Sequence, residues 1–228
     1  MVGLEDVGNT LRDAGLALRG AFHPGPEDGV PELADGRPAA TVVLAGNVGP
    51  EMWQAFSAAR DPLVDKLDDW SEQVLTGVAR RFGATACFPF GRPPLPFQRW
   101  AMRAEPCHPS PLGILVHPDY GLWHGYRGAL LLPRRLRLPP PDRRPSPCDG
   151  CAEKPCLDTC PVGAFSSSGY DVPACTRHIA TPAGEDCLDL GCRARRACPV
   201  GTAYRYLPAQ ARFHMTHVLR SHGARPDA

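Results

Sequence analysis

The chain has 228 residues, enough for one or two domains that bury a core without disulfide staples. Its 25 basic side chains balance 24 acidic ones, and the resulting net charge of +1 excludes the strong overall field expected of a nucleic-acid or anionic-membrane binder. With 43% apolar residues alongside 23 Gly and 27 Pro, the composition points to a folded, loop-rich protein rather than a disordered one.

Chain order gives the following elements. Leu4, Val7, Leu11, Ala14 and Leu18 recur at spacings of three and four and predict a helix ending near Gly20. Residues 23–37 have turn composition. Residues 41–45 read as a buried strand, and Gly46-Asn47-Val48-Gly49 turns into a helix from about Pro50 that carries Trp53 and Phe56 on one face. Asp61-Pro62 starts a third helix through Leu63, Leu67, Trp70, Val74 and Val78 to about Phe82. Residues 84–88, 113–117 and 126–132 are further strands. Strands alternating with helices predict a small α/β domain over 1–138 that binds a cofactor or partner. The proline-rich run 139–147 is a linker, because repeated prolines favour an extended path. Residues 148–228 form a separate domain ending in one helix, 208–222. The fold class expected is α+β: a small α/β N-terminal domain, a second domain of different composition and a C-terminal helix.

The start carries Glu5 and Asp6 rather than a basic stretch leading into an apolar one, and no run approaches the ~18 apolar residues of a membrane span. A cytoplasmic protein with no membrane partner is expected, and in a reducing compartment dense cysteines read as metal-binding or catalytic. Eight of the ten cysteines lie between 148 and 198. Residues 148–161 read C-x2-C-x4-C-x3-C-P, close to the ferredoxin run C-x2-C-x2-C-x3-C-P with two extra residues in one gap. In such a run three thiolates converge on one cubane and the Cys-Pro cysteine serves a second one. Cys198-Pro199-Val200-Gly201 repeats Cys160-Pro161-Val162-Gly163, so each Cys-Pro cysteine is expected to reach across to the other half's cluster. Cys148, Cys151, Cys156 and Cys198 are thus expected on one [4Fe–4S] cluster. Cys160, Cys175, Cys187 and Cys192 are expected on the other, with the order of Cys175 and Cys187 exchangeable. Structural zinc is the competing reading, since four-cysteine zinc sites also use C-x2-C pairs. The x3-C-P ending and the repeated tetrapeptide weigh against it, so residues 148–228 are expected as a ferredoxin-like dicluster [4Fe–4S] domain with its C-terminal helix.

Around the clusters, Arg177, Arg193, Arg195 and Arg196 would offset local negative charge and raise reduction potentials, or form a solvated basic face. Cys87 is expected buried in its strand. Cys107, in Glu105-Pro106-Cys107-His108-Pro109, is a partly exposed loop cysteine beside an imidazole. His214 and His217 read as surface residues of the last helix.

The cysteine order and the segment before it resemble the epoxyqueuosine reductase family and related cobalamin-dependent reductases. The resemblance spans about residues 93–200. Its motifs are Pro94-Leu95-Pro96-Phe97-Gln98-Arg99-Trp100-Ala101-Met102-Arg103-Ala104, Gly113-Ile114-Leu115-Val116-His117-Pro118-Asp119-Tyr120-Gly121-Leu122-Trp123, the Cys148 run and Cys175-Thr176-Arg177-His178-Ile179. It implies a cobalamin-binding α/β domain followed by a two-cluster domain. It further implies electrons passing from a distal to a proximal cluster and on to a cobalt corrin, with His117, Trp123, His124 and Tyr126 lining a corrin or substrate pocket. The family's acidic general acid and its Glu-Arg pair fall here on Gly91-Arg92 and Phe97-Gln98. The function expected is an iron–sulfur electron-transfer protein with two [4Fe–4S] clusters, an undetermined electron donor or acceptor and no strong nucleic-acid signal. The alternatives are a cobalamin-dependent reductase of the epoxyqueuosine reductase type and a structural zinc-binding module.

Overall fold

The computed structural model describes residues 3–59, 66–166 and 169–222. Contacts divide the chain into two compact units, Met1–Pro106 with His124–Arg144, and Cys107–Trp123 with Pro145–Ala228.

The first unit is built on a four-stranded sheet. Its elements are α1 (Leu4–Asp13), β1 (Ala17–Phe22), β2 (Thr41–Val48), α2 (Glu51–Ala59), α3 (Leu67–Phe82), β3 (Thr85–Cys87), α4 (Phe97–Ala104) and β4 (His124–Leu132). The strand order is β1-β2-β4-β3 and every neighbouring pair is antiparallel. Val42 to Ala45 in β2 and Ala129 to Leu132 in β4 are each 0% exposed, which places these two apolar runs at the centre of the core. Helices α2, α3 and α4 pack on β2, β4 and β1 in turn. A continuous apolar run is what a strand covered on both faces requires.

The helix predicted through Leu18 is shorter. It ends at Asp13 because Gly15 takes φ +80°, a conformation that favours glycine, and the chain reverses into β1 with Leu18 paired to Ala45. A Cβ on Gly15 would also stand 2.2 Å from that of Ala55. The predicted start at Asp61-Pro62 lies outside the described residues; α3 is described from Leu67 and ends on Gly83 at φ +61°, whose N–H reaches Arg80 O. The strand expected over 113–117 shrinks to Leu115–Val116 paired with His108–Pro109. Helix α4 carries no sequence prediction, although Phe97, Trp100 and Ala101 make its buried stripe. Trp100 is 0% exposed and its Nε1 donates to Asp28 O at 2.8 Å.

The second unit is made of short helices: α5 (Pro155–Asp158), α6 (Val172–Ile179), α7 (Glu185–Leu190), α8 (Arg193–Arg196) and the long α9 (Pro208–His222), with a small ladder of Phe165–Ser166 on Gly169–Tyr170. Helix α9 packs on α6 and α7. Composition divides the chain at the proline run, but contacts keep 139–144 with the first unit and assign 107–123 to the cysteine-rich one. Among the described residues no helix is long and apolar enough to cross a membrane.

Leu130 is buried in β4 between β2 and β3. Leu130→Ala is expected to destabilise the protein by about 2–5 kcal/mol through lost burial and the cavity left behind, read as a lower urea midpoint.

Candidate functional site

In the second unit the cysteine thiols fall into two electrostatic groups. Burial pushes the Cys148 thiol up, and the nearby Cys198 and Cys151 push it further, while the Ser146 hydroxyl opposes them. Cys156 is likewise raised by burial and then by Cys198, Cys148 and Cys151. In the other group Cys175 is raised by burial and by Cys160 and Cys187, against a lowering bond from the Tyr170 hydroxyl. Cys192 is raised by burial and by Cys175 and Cys187. Each group holds four thiols close enough to feel one another's charge.

Several donors already aim at these sulfurs. Ala164 N donates to Cys160 Sγ at 3.3 Å, and the Ala194 and Arg195 backbone N–H groups lower Cys192. Cys148, Cys156, Cys160, Cys192 and Cys198 pack against one small core of Leu112, Val116, Leu122 and Ala194. That setting suits thiolate ligation of a cluster: apolar cover excludes water, and N–H donors to sulfur stabilise negative charge. Among the described residues no group of three or more His, Cys, Asp or Glu is arranged to hold one metal ion.

The two Cys-Pro-Val-Gly segments share a backbone form, with Gly163 at φ +57° and Gly201 at φ +70°. Their surroundings differ. A Cβ on Gly163 would meet nothing within 4 Å, whereas one on Gly201 would lie 2.2 Å from Tyr120 C, and one on Gly121 would lie 2.0 Å from Val200 O. The second segment is therefore laid backbone against backbone on residues 120–121.

The four residues linked to a corrin or substrate pocket divide between the units. His117, 4% exposed, closes a turn: its Nδ1 accepts from Asp119 N at 3.0 Å and Tyr120 N at 3.4 Å, and its ring stacks on Tyr120 at 4.2 Å. An accepting Nδ1 puts the proton of the neutral imidazole on Nε2. Trp123, 3% exposed, has an Nε1 with no partner among the described residues. Its ring carries the Arg195 guanidinium at 4.7 Å, which also lies 4.4 Å from the Tyr206 ring and donates to Leu122 O. In the first unit His124 and Tyr126 join a network that sequence reasoning missed. Arg19, 1% exposed, donates from Nη2 to Glu105 Oε1 at 2.7 Å and lies 3.1 Å from His124 Nδ1, while the Tyr126 hydroxyl donates to Glu105 Oε1 at 2.5 Å. Arg19 and Glu105 lie in segments read as a helix and a loop, and only their meeting across 86 residues reveals the pair.

The arginines expected to offset cluster charge are mostly committed elsewhere. Arg193 and Arg196 both bind Asp186, whose carboxyl they hold below its ordinary range. Cys87 is half-buried in its strand rather than fully buried, and this burial pushes its thiol up to about 12. Cys107 is 3% exposed rather than partly exposed, because its segment folds into the second unit.

No protein-family model matches the chain and no curated protein matches it in sequence. Solved structures do. Epoxyqueuosine reductase crystallised with an epoxyqueuosine-modified tRNA-Tyr stem loop superposes with a TM-score of 0.51 at 14% identity, over 90% of this chain and 66% of that one. The Bacillus subtilis epoxyqueuosine reductase, with its catalytic loop swung out of the active site, superposes with a TM-score of 0.50 at 13% identity, again over 90% and 66%. The chain thus spans just under two thirds of these proteins, and its fold is epoxyqueuosine reductase-like.

Arg19→Met removes the cation from a buried pair and leaves Glu105 uncompensated. The expected loss is about 3–5 kcal/mol in denaturant unfolding, with Glu105→Gln in the same chain recovering part of it.

Proposed function

We propose that the protein is a reductase of the epoxyqueuosine reductase type that carries two [4Fe–4S] clusters and a corrinoid. Cys148, Cys151, Cys156 and Cys198 hold one cluster; Cys160, Cys175, Cys187 and Cys192 hold the other. The observation that carries this reading is the grouping of the thiols four and four, with Cys198 beside the Cys148 run and Cys160 beside the later cysteines. The fold likeness supports a reductase over a plain electron carrier.

When bound, the clusters supply one-electron transfer and the corrinoid supplies the reducing centre. The chain's own residues supply the rest. Eight thiols give up their protons on ligation, helped by the N–H and O–H donors to Cys148, Cys160, Cys175 and Cys192. The core of Leu112, Val116, Leu122 and Ala194 keeps water from the sulfurs. The buried Nε1 of Trp123, with no partner among the described residues, fits a donor to a bound group. His124 and Tyr126 are set in place by Arg19 and Glu105.

A structural neighbour was crystallised with a modified tRNA stem loop, and a modified nucleoside in RNA is the substrate class we assign to this chain. Gly91-Arg92 and Phe97-Gln98 stand where the family has its general acid and its Glu-Arg pair, so these positions supply no acid for proton delivery to a leaving group.

Anaerobically purified protein should contain about eight iron and eight acid-labile sulfide per chain, and dithionite should produce a paramagnetic signal. Cys198→Ser and Cys160→Ser should each remove about four iron, from different clusters. Stoichiometric zinc without sulfide would overturn the cluster assignment. Added cobalamin that fails to co-elute with the loaded protein in gel filtration would remove the corrinoid and leave an electron carrier.

A further inference from the structure

The chain leaving β4 is pinned to the first unit before it enters the proline run. Thr41 Oγ1 donates to Arg134 O at 2.9 Å and accepts from Leu136 N at 2.9 Å, and His23 Nε2 lies 2.9 Å from Leu136 O. Leu136 is consequently 5% exposed, and the arginines on either side of it, Arg135 and Arg137, border a cavity of about 800 Å³. Phe22, Arg103 and the wall formed by Pro139, Pro140 and Pro141 border the same space.

The charges around this cavity do not cancel. Its two carboxylates are already met: Glu105 by Arg19, and Asp142 by Arg144 at 2.8 Å. Arg103 is held by Asp28 at 3.1 Å and lies over the Phe22 ring at 5.3 Å. Arg135 and Arg137 are exposed and have no hydrogen-bond or ion-pair partner among the described residues. Two unmatched guanidinium forks beside a proline wall suit an anion attached to an apolar body. The volume lies in the range of small-molecule sites, about 300–1,000 Å³.

We propose that this cavity binds a phosphorylated small molecule of mononucleotide size. Its phosphoryl oxygens lie on Arg135 and Arg137, and its body lies against the prolines. None of the eight cysteines assigned to clusters borders the cavity, so the site stands independently of the redox reading.

Calorimetric titration of the full chain with AMP tests the site, with adenosine, inorganic phosphate and a short single-stranded RNA as separate arms. The expected result is one AMP per chain, bound more tightly than adenosine or phosphate and more weakly at high salt. Combined Arg135→Gln and Arg137→Gln should weaken AMP about tenfold or more and leave the thermal transition unchanged, since neither side chain is buried or paired. No AMP binding at millimolar concentration, or equal binding by the double variant, would overturn the proposal. So would RNA binding through the same two arginines more than tenfold tighter than AMP, which would assign the cavity to a nucleic-acid backbone.

Discussion

The second unit depends on a contact in which two stretches of backbone touch with nothing between them. Residues 120–121 lie against 200–201, and a single carbon atom added at Gly121 or Gly201 would fall about 2 Å from the opposing chain. This contact brings the turn closed by His117 and the Cys198 segment together. It also explains why 107–123, which composition groups with the first half, belongs with the cysteines: Leu112, Val116 and Leu122 supply three of the four buried residues of the core on which five cysteines pack.

Around that contact, charge is handled by pairing rather than by exposure. Asp186 takes both Arg193 and Arg196, tying the start of α7 to α8, and Arg195 is held between the Trp123 and Tyr206 rings with the Leu122 carbonyl as its acceptor. The arginine-rich sequence 193–196 therefore acts as internal scaffolding beside Cys192 and Cys198. The first unit follows the same rule, with Arg19 fully enclosed by Glu105, the Asn47 carbonyl and His124. A buried cation is tolerated there only because each of these groups meets it. Arg135 and Arg137, exposed and unpaired, border the cavity for which an anionic ligand is proposed.

The legible parts of the fold were those with a strong local signal. The apolar run of β2, the run ending β4, and the last helix from Pro208 to His222 are visible in residue order alone. Where local signals misled, a neighbour far along the chain had decided the matter. Leu18 continues the α1 periodicity, yet Gly15 turns the chain so that Leu18 pairs with Ala45. The α4 stripe of Phe97, Trp100 and Ala101 is as regular as that of α3, but its eight residues sit within a proline-rich stretch that reads as loop.

Residue order by itself determined the chemistry on offer: ten thiols, eight of them clustered, in spacings that suit iron–sulfur ligation and with a tetrapeptide used twice. Thiol number and spacing are covalent facts, and they limit which ligand chemistry the chain can offer. Tertiary structure alone decided that 107–123 joins the cysteine-rich unit, that Arg19 meets Glu105, and that the proline run walls a cavity. These are contacts between residues distant in sequence, chosen by close packing and by the need to pair every buried charge, and neither condition leaves a mark in any short window of the chain.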